Sequence, residues 1–315
     1  MRYVYHTAHA GASRPGSQHT MWYGGMWMPY RILAIGNNKG GVGKTFIAKT
    51  IAEYAALVRK ERVLLVDLDP QTNLSRRYLD MQVLTETSDY GPPLHPEYDP
   101  NDEEDDWDGY SDSADIWLEG SAAPYPTRIP GLEIIPAQAH KLQDIEYVRR
   151  RDLYDAVIRH LGAFLQHEDV RSDYDLVILD TRPSKGPLVQ AALHAATHLL
   201  IPTQLEAPAV EGLQGMLTQR RLVNRDRPAA DQLRLVGVLP NLVRHITLHR
   251  EYRDLLSDPD YLGGTVLPAE ISDWAGYRES MMFGAESIFV AKQQGRLREQ
   301  LSEVCALIFD QMEAA

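Results

Sequence analysis

The stretch Asn37-Asn38-Lys39-Gly40-Gly41-Val42-Gly43-Lys44-Thr45 restricts this chain more than any other. It follows the apolar run Ile32-Leu33-Ala34-Ile35 and precedes Ile47, Ala48, Ile51, Ala52 and Ala55 at helical spacing. A strand, a glycine-rich turn and a helix with Gly-Lys-Thr at the junction are the context of a phosphate-binding P-loop. Gly40, Gly41 and Gly43 let backbone N–H groups close around a phosphate, with Val42 between them, and the new helix aims its positive end there. Lys44 is placed to neutralise β- and γ-phosphates, and the Thr45 hydroxyl to ligate Mg2+. Lys39 is a second lysine, which an ordinary P-loop does not require.

The pattern beyond the loop alternates. Val63-Leu64-Leu65-Val66 is a short apolar run ending in Asp67-Leu68-Asp69-Pro70. Leu176-Val177-Ile178-Leu179 ends in Asp180, and His198-Leu199-Leu200-Ile201 ends in Pro202. Leu132–Ile135, Leu235–Leu239 and a short Thr265–Pro268 read as further strands. Helices are expected over Thr45–Arg59, Lys141–Gln166, Leu188–Ala196, Pro208–Arg221, Arg250–Leu256 and Ala291–Met312. Short apolar runs mark strands buried on both faces. Their alternation with helices predicts an α/β fold, a doubly wound, mostly parallel sheet flanked by helices. In such sheets a ligand sits at the carboxyl ends of the strands, where the loop, Asp67, Asp69, Asp180, Pro202 and Pro268 all fall.

Two stretches break the rhythm. Residues 1–29 mix His, Gly, Ser, Met and Trp without period and are expected to be a disordered N-terminal extension, or to lie upstream of an internal start at Met26 or Met28. Residues 30–315 read as a single domain with a mobile acidic insert at about 86–128. The formal net charge is −12, but residues 81–127 hold 13 Asp and Glu and no Lys or Arg. The rest of the chain is therefore close to neutral and can still present a basic face. The acidic run also reads, less simply, as an arm that mimics DNA or docks a basic partner. Cys305 is the one cysteine, which excludes an intrachain disulfide and suits a reducing cytosol. No apolar run approaches the roughly 18–20 residues that span a bilayer.

In this order the segments resemble the ParA family of partition ATPases, within the wider group that also holds MinD. The resemblance covers about residues 30–290. Lys39-Gly40-Gly41-Val42-Gly43-Lys44-Thr45 resembles the family's deviant Walker A box, Val63–Asn73 its Asp-x-Asp-Pro-Gln-x-Asn box and Asp173–Ser184 its Walker B segment. Ile201–Gln204 with Glu206 and Gly212, Gly237–Asn241 with Leu267-Pro268, and Glu279–Gly284 resemble later family segments.

The resemblance implies a P-loop ATPase using ATP and Mg2+. Two nucleotides would be sandwiched in an ATP-dependent homodimer, with Lys39 reaching the partner subunit's phosphates. Asp69 would orient the attacking water. Thr45 would bind Mg2+ directly, and Asp67 and Asp180 through its waters. Asn241 and Pro268 would border the base. The implied partners are non-specific DNA and a ParB-like centromere-binding protein that stimulates hydrolysis, and the implied location is cytoplasmic and nucleoid-associated. Candidate DNA contacts are Arg220, Arg221, Arg225 and Arg227, then Arg244, Arg250 and Arg253, then Lys292, Arg296 and Arg298.

The chain also departs from the family pattern. Phe46 stands where the family usually has a second Thr or Ser whose hydroxyl contacts the α-phosphate. Arg182 replaces a common proline and reads either as a contact to phosphate or partner, or as a solvated residue. Two other functions are compatible with a P-loop ATPase of this kind. A MinD-like membrane switch needs a basic terminal helix, yet no Lys or Arg follows Arg298, so no membrane partner is expected. A scaffold positioning a protein cargo is the remaining alternative. One cysteine cannot supply a bridging iron–sulfur cluster, which excludes a reductase of the superfamily.

Overall fold

The computed structural model describes residues 20–23, 26–85, 88–102, 106–258, 260–262, 264–292 and 295–314. Its centre is a seven-stranded sheet. In chain order the strands are β1 (Arg31–Ile35), β2 (Val63–Leu68), β3 (Tyr125–Pro126), β4 (Leu132–Ile135), β5 (Leu176–Thr181), β6 (His198–Thr203) and β7 (Arg234–Pro240). In space they run β7-β6-β1-β5-β2-β4-β3. All neighbours are parallel except the edge pair β4 and β3. Chain order reverses at β1, which puts the crevice of a doubly wound sheet at the end of that strand, where the glycine-rich loop begins.

The main helices are α1 (Lys44–Tyr54), α2 (Ala139–Glu146), α3 (Arg151–Leu165), α4 (Pro187–Ala195), α5 (Ala207–Arg225), α6 (Thr247–Ser257) and α7 (Gly295–Glu313). They cover both faces of the sheet, and strand alternation divides the core in two. Ile32, Ala34, Leu64, Val66, Val177 and Leu179 face a layer that includes α3, α4 and α5. Leu33, Ile35, Val63, Leu65, Leu176 and Ile178 face α1 and α7. On α7 the buried residues Leu297, Leu301, Val304, Cys305, Ile308, Phe309 and Met312 recur every three or four positions. Every residue of β1, β2, β5 and β6 is buried, which is why each reads as an unbroken apolar run.

Four details differ from the sequence expectations. The single helix expected over Lys141–Gln166 is split into α2 and α3. Glu146 turns inward at the break and is 8% exposed. Its carboxylate accepts from the Ser184 hydroxyl at 2.5 Å and from the Leu188 N–H at 3.3 Å, in the first turn of α4. Gly186 permits this, because a Cβ built there would lie 2.0 Å from the Glu146 Oε1. Thr265–Pro268 forms one parallel bridge, Val238 with Val266, rather than a strand. Thr20–Tyr23 and Met26–Pro29, in the stretch expected to lack structure, pair as an antiparallel ribbon. Residues 1–19, with His6, His9 and His19, lie outside the described residues.

The acidic insert is the fourth. Much of it packs on the sheet. His95 is buried, its ring set between Trp107 and Tyr125 with centroid separations of 5.1 and 4.5 Å. Tyr125 belongs to β3, so the insert returns into the sheet edge. Ser111, Asp112 and Ser113 are buried, and Lys141 on α2 bridges Asp112 and Asp115 at 2.7 and 2.9 Å. The aromatic residues supply the apolar area that the charge-rich composition conceals.

Candidate functional site: a phosphate cradle at the sheet edge

The loop from Asn37 to Lys44 joins β1 to α1. Gly41 has φ +78° and Gly43 φ +88°, backbone that a Cβ strains. Gly43 is also tightly packed. A Cβ on it would lie 2.2 Å from both Asn241 Nδ2 and Tyr277 Oη. Gly43 precedes the first helical residue, Lys44, so the α1 N-terminus opens onto the loop.

Lys44 is 6% exposed. Its ammonium folds back over the loop and donates to the Asn37 and Lys39 carbonyls at 3.2 and 3.3 Å. Burial lowers its pKa, while the charges of Asp180 and Asp69 oppose that shift. Asn37 fixes the entry of the loop, donating to the Pro202 carbonyl at 2.8 Å and accepting the Lys39 N–H at 2.9 Å. Lys39 is half-buried, and its ammonium makes no ion pair or hydrogen bond among the described residues.

Strand register brings the carboxylates together. Ile35 of β1 is level with Asp180 of β5, and Asp180 with Asp67 of β2. Both aspartates are fully buried. Asp67 accepts from the Ser75 hydroxyl at 2.6 Å, the Ser75 N–H at 2.9 Å and the Asp69 N–H at 3.1 Å. Burial nevertheless pushes its carboxyl up to about 7. Among the described residues no hydrogen bond reaches either carboxylate oxygen of Asp180. Burial, with the charge of Asp67 beside it, drives Asp180 well above the usual carboxylate range, and the nearby Thr45 hydroxyl and Lys44 ammonium offset only part. Asp69 is half-buried and accepts the Gln71 N–H at 3.0 Å.

Two buried carboxylates facing each other, one without a partner, form an environment that a hard cation would relieve. Asp67, Asp180 and the Thr45 hydroxyl are oxygen donors of the kind that suit Mg2+. No group of three His, Cys, Asp or Glu forms a protein-only metal cage among the described residues. Mg2+ at phosphate sites needs none, since phosphate and water complete its shell.

The structure also adds residues that sequence reasoning missed. Ser75 joins Asp67 to the Ala137 N–H beyond β4, at 2.8 Å. Ser113 of the insert donates to the Asp67 carbonyl at 2.7 Å. Tyr277 stacks on Phe46, with ring centroids 3.7 Å apart and planes at 22°. Ser75 lies two residues past the Val63–Asn73 segment, close enough to be sought there; Ser113 and Tyr277 carry no local signal. Asn241 is fully buried, donates to the Val42 carbonyl at 2.8 Å, and has an unpartnered Oδ1. Pro268 is exposed, just past the bridge to β7. Arg182 faces Glu146 at 3.6 Å.

On α5, Gly212 and Gly215 admit the loop. A Cβ at Gly212 would lie 2.5 Å from Asn37 Oδ1 and 3.0 Å from the Lys39 backbone nitrogen; one at Gly215 would lie 2.5 Å from Asn38 Nδ2. Farther along the same helix, Arg221 and Arg225 are exposed. Arg227 is not available as a surface cation. Its guanidinium donates to the Leu193, His194 and Ala196 carbonyls and closes the C-terminus of α4. Arg244 and Arg253 pair with Asp273 and Glu270. No helix among the described residues is long and apolar enough to cross a membrane.

Known proteins share this fold. Residues 33–282 match the family described as CobQ/CobB/MinD/ParA nucleotide binding domain. The chromosome-partitioning ATPase Soj of Thermus thermophilus is 33% identical over 224 residues, covering 69% of this chain and 72% of Soj. The chromosome partitioning protein ParA of Caulobacter vibrioides is 32% identical over 218 residues, covering 67% and 69%. Among solved structures, apo McdA of Cyanthece superposes with a TM-score of 0.68 at 17% identity, over 89% of this chain and 99% of McdA. Cobyrinic acid a,c-diamide synthase of Mycobacterium smegmatis, with ADP and magnesium bound, gives 0.61 at 25% identity, over 90% and 96%. The chain therefore belongs to the CobQ/CobB/MinD/ParA nucleotide-binding family, and within it to the ParA-type P-loop ATPases.

Proposed function

We propose that the chain is an ATP-dependent dimerising switch for DNA partition. Each step is assigned to a residue near the carboxyl ends of the strands. The loop N–H groups and Lys44 bind the phosphates. Asp69 orients the attacking water. Thr45, Asp67 and Asp180 would hold Mg2+, Thr45 directly and the two aspartates through its waters; the ion would supply charge neutralisation at the transferring phosphate. Phosphoryl transfer needs positioning and charge more than covalent chemistry, so these groups suffice. Asn241 and Pro268 border the base.

The observation that carries the reading is Lys39. It is a second lysine at the cradle, half-buried and without an ionic partner among the described residues, beside a Lys44 that already serves the loop. A cation so placed is suited to the triphosphate of a second copy of the chain. The names of the Soj and ParA relatives supply the biological context. Dimerisation would double the exposed cations available, among them Arg221, Arg250, Lys292 and Arg296. DNA would be held there through its phosphates, without sequence preference. A ParB-like partner would stimulate hydrolysis and release the DNA.

The test is DNA affinity measured with ATP and with ADP across a salt series. Binding should require ATP and fall steeply with salt. Equal affinity with ADP, or indifference to salt, would overturn the reading.

A further inference from the structure

The position after Thr45 holds a phenylalanine, so the first turn of α1 offers no side-chain hydroxyl there. Phe46 is 2% exposed and its ring lies flat against Tyr277. That stack carries the phenol oxygen onto the cradle. It sits against Gly43, close enough that a Cβ there would collide with it. Asn241 Nδ2 lies 3.5 Å from the same oxygen and points a hydrogen at it. The phenol oxygen is thus an acceptor toward Asn241, and its own proton has no acceptor among the described residues. The neighbouring Asn241 Oδ1 is also buried and unpartnered. Unsatisfied polar atoms beside a phosphate-binding turn are what a bound ligand would complete.

Tyr277 is held in place from several sides. It lies on a short helix, Gly276–Glu279, in a segment anchored just ahead of that helix. Ser272 bridges Val243, and the Trp274 indole N–H donates to Gln300 of α7 at 2.8 Å. Burial pushes the phenol up to about 12, so the hydroxyl keeps its proton across the physiological range.

We propose that Tyr277 is a nucleotide-binding residue of this chain, its hydroxyl donating to the α/β-phosphates held at Gly43, and that Phe46 is the positioning residue that keeps it there. The location follows from the order of groups around the cradle. Lys44, Asp69 and Asp180 mark the end where the γ-phosphate lies, because the P-loop lysine reaches the β- and γ-phosphates. Gly43 belongs to the backbone that cradles the α- and β-phosphates. The aromatic pair thus supplies, from a segment far along the same chain, a hydroxyl that the helix itself lacks. The inference rests on the nucleotide-binding reading of the loop and deepens it.

Tyr277→Phe removes one oxygen and keeps the stack, so the variant should fold with an unchanged circular dichroism spectrum. Affinities for ADP and for ATP, each with Mg2+, are to be measured by isothermal titration. Loss of a hydrogen bond to a charged group should weaken both by about tenfold. The losses should be equal, since both nucleotides carry α- and β-phosphates. KM for ATP should rise with kcat little changed. Phe46→Leu keeps an apolar side chain but releases the ring; it should weaken binding as well. In the double variant the losses should not add, because Phe46 acts through the Tyr277 hydroxyl.

Unchanged or tighter binding by Tyr277→Phe would overturn the proposal and make Tyr277 a packing residue or a plug. A loss confined to ATP would place the hydroxyl at the γ-phosphate and overturn it too, as would fully additive losses in the double variant. If the unaltered protein bound neither nucleotide, the nucleotide-binding reading itself would fall, an outcome distinct from the other three.

Discussion

The Ser113 hydroxyl donates to the Asp67 carbonyl at 2.7 Å, across 46 residues of sequence. The acidic insert is thereby tied to the end of the strand that carries both Asp67 and Asp69. Ser113→Ala removes one buried hydrogen bond, and the expected cost is about 1 kcal/mol. A urea denaturation midpoint measures it. If the midpoint held while hydrolysis fell, the bond would serve the geometry of the site rather than the fold.

Gly43→Ala should abolish nucleotide binding. The position combines φ +88° with contacts that leave no room for a methyl group. Its neighbours, Asn241 and Tyr277, are themselves held in place, so neither yields easily. Isothermal titration with ADP is the readout, with circular dichroism confirming the fold. Wild-type affinity in this variant would mean that the loop rearranges on binding.

Lys39→Ala and Asp69→Ala should fail differently. Without Lys39 the single chain should still bind ATP, but the ATP-dependent dimer and hydrolysis should both be lost. Without Asp69 the dimer should form and persist, with hydrolysis down on the order of a hundredfold or more. Light scattering coupled to size exclusion, run with ATP, separates the two. Normal hydrolysis by Lys39→Ala would remove the cross-subunit role.

Glu53 lies at the centre of a fully buried charge cluster. It pairs with Lys49 at 3.3 Å and Arg77 at 3.2 Å, and accepts the Ser287 hydroxyl at 2.6 Å. Glu53→Ala leaves two buried cations with no counter-charge. The expected loss is about 3–5 kcal/mol, read from chemical denaturation. A loss below about 1 kcal/mol would mean that water enters and solvates the cations.

His198 makes stability depend on pH. It opens β6, is 5% exposed, and burial together with Arg234 and Arg31 depresses its pKa to about 4. In the unfolded chain it titrates near 6.5. The unfolded state therefore binds more protons between these values, and stability falls as pH drops from about 6.5 toward 4. The contribution lost between pH 8 and pH 5 is on the order of 2 kcal/mol. Thermal melts of the protein and of His198→Gln across that range should diverge in slope. Parallel curves would show the imidazole reaching solvent.

The sheet and the cradle were legible because their signals are local. A glycine-rich turn between an apolar run and a helical pattern is contiguous in sequence, and parallel register then fixes Ile35, Asp180 and Asp67 at one level. The rest depends on contacts between distant segments. Glu146 breaks a continuous helical pattern by capping α4, and nothing beside it in sequence predicts that. The insert looked loose because its charges outnumber its aromatics, yet His95, Trp107 and Tyr125 are enough to seat it. Arg227 reads as a surface cation in the sequence and is spent on the end of α4. Phe46 was visibly atypical; only the fold supplies the ring that explains it.

The close approach of Gly212 and Gly215 to the loop has a mechanical consequence. The helix that touches Asn37, Asn38 and Lys39 at one end carries Arg221 and Arg225 toward the other. Roughly 14 Å of rigid rod separates Gly212 from Arg221 at 1.5 Å per residue. At these two positions the helix contributes no side chain, so the side chains of Asn37 and Asn38 rest directly on its backbone. In the proposed dimer, a shift of Lys39 toward the second copy would press on the rod, and its basic tip would travel farther than its pivot. The two glycines would then act as a fulcrum, and enlarging either one would jam the lever while leaving its ends chemically intact.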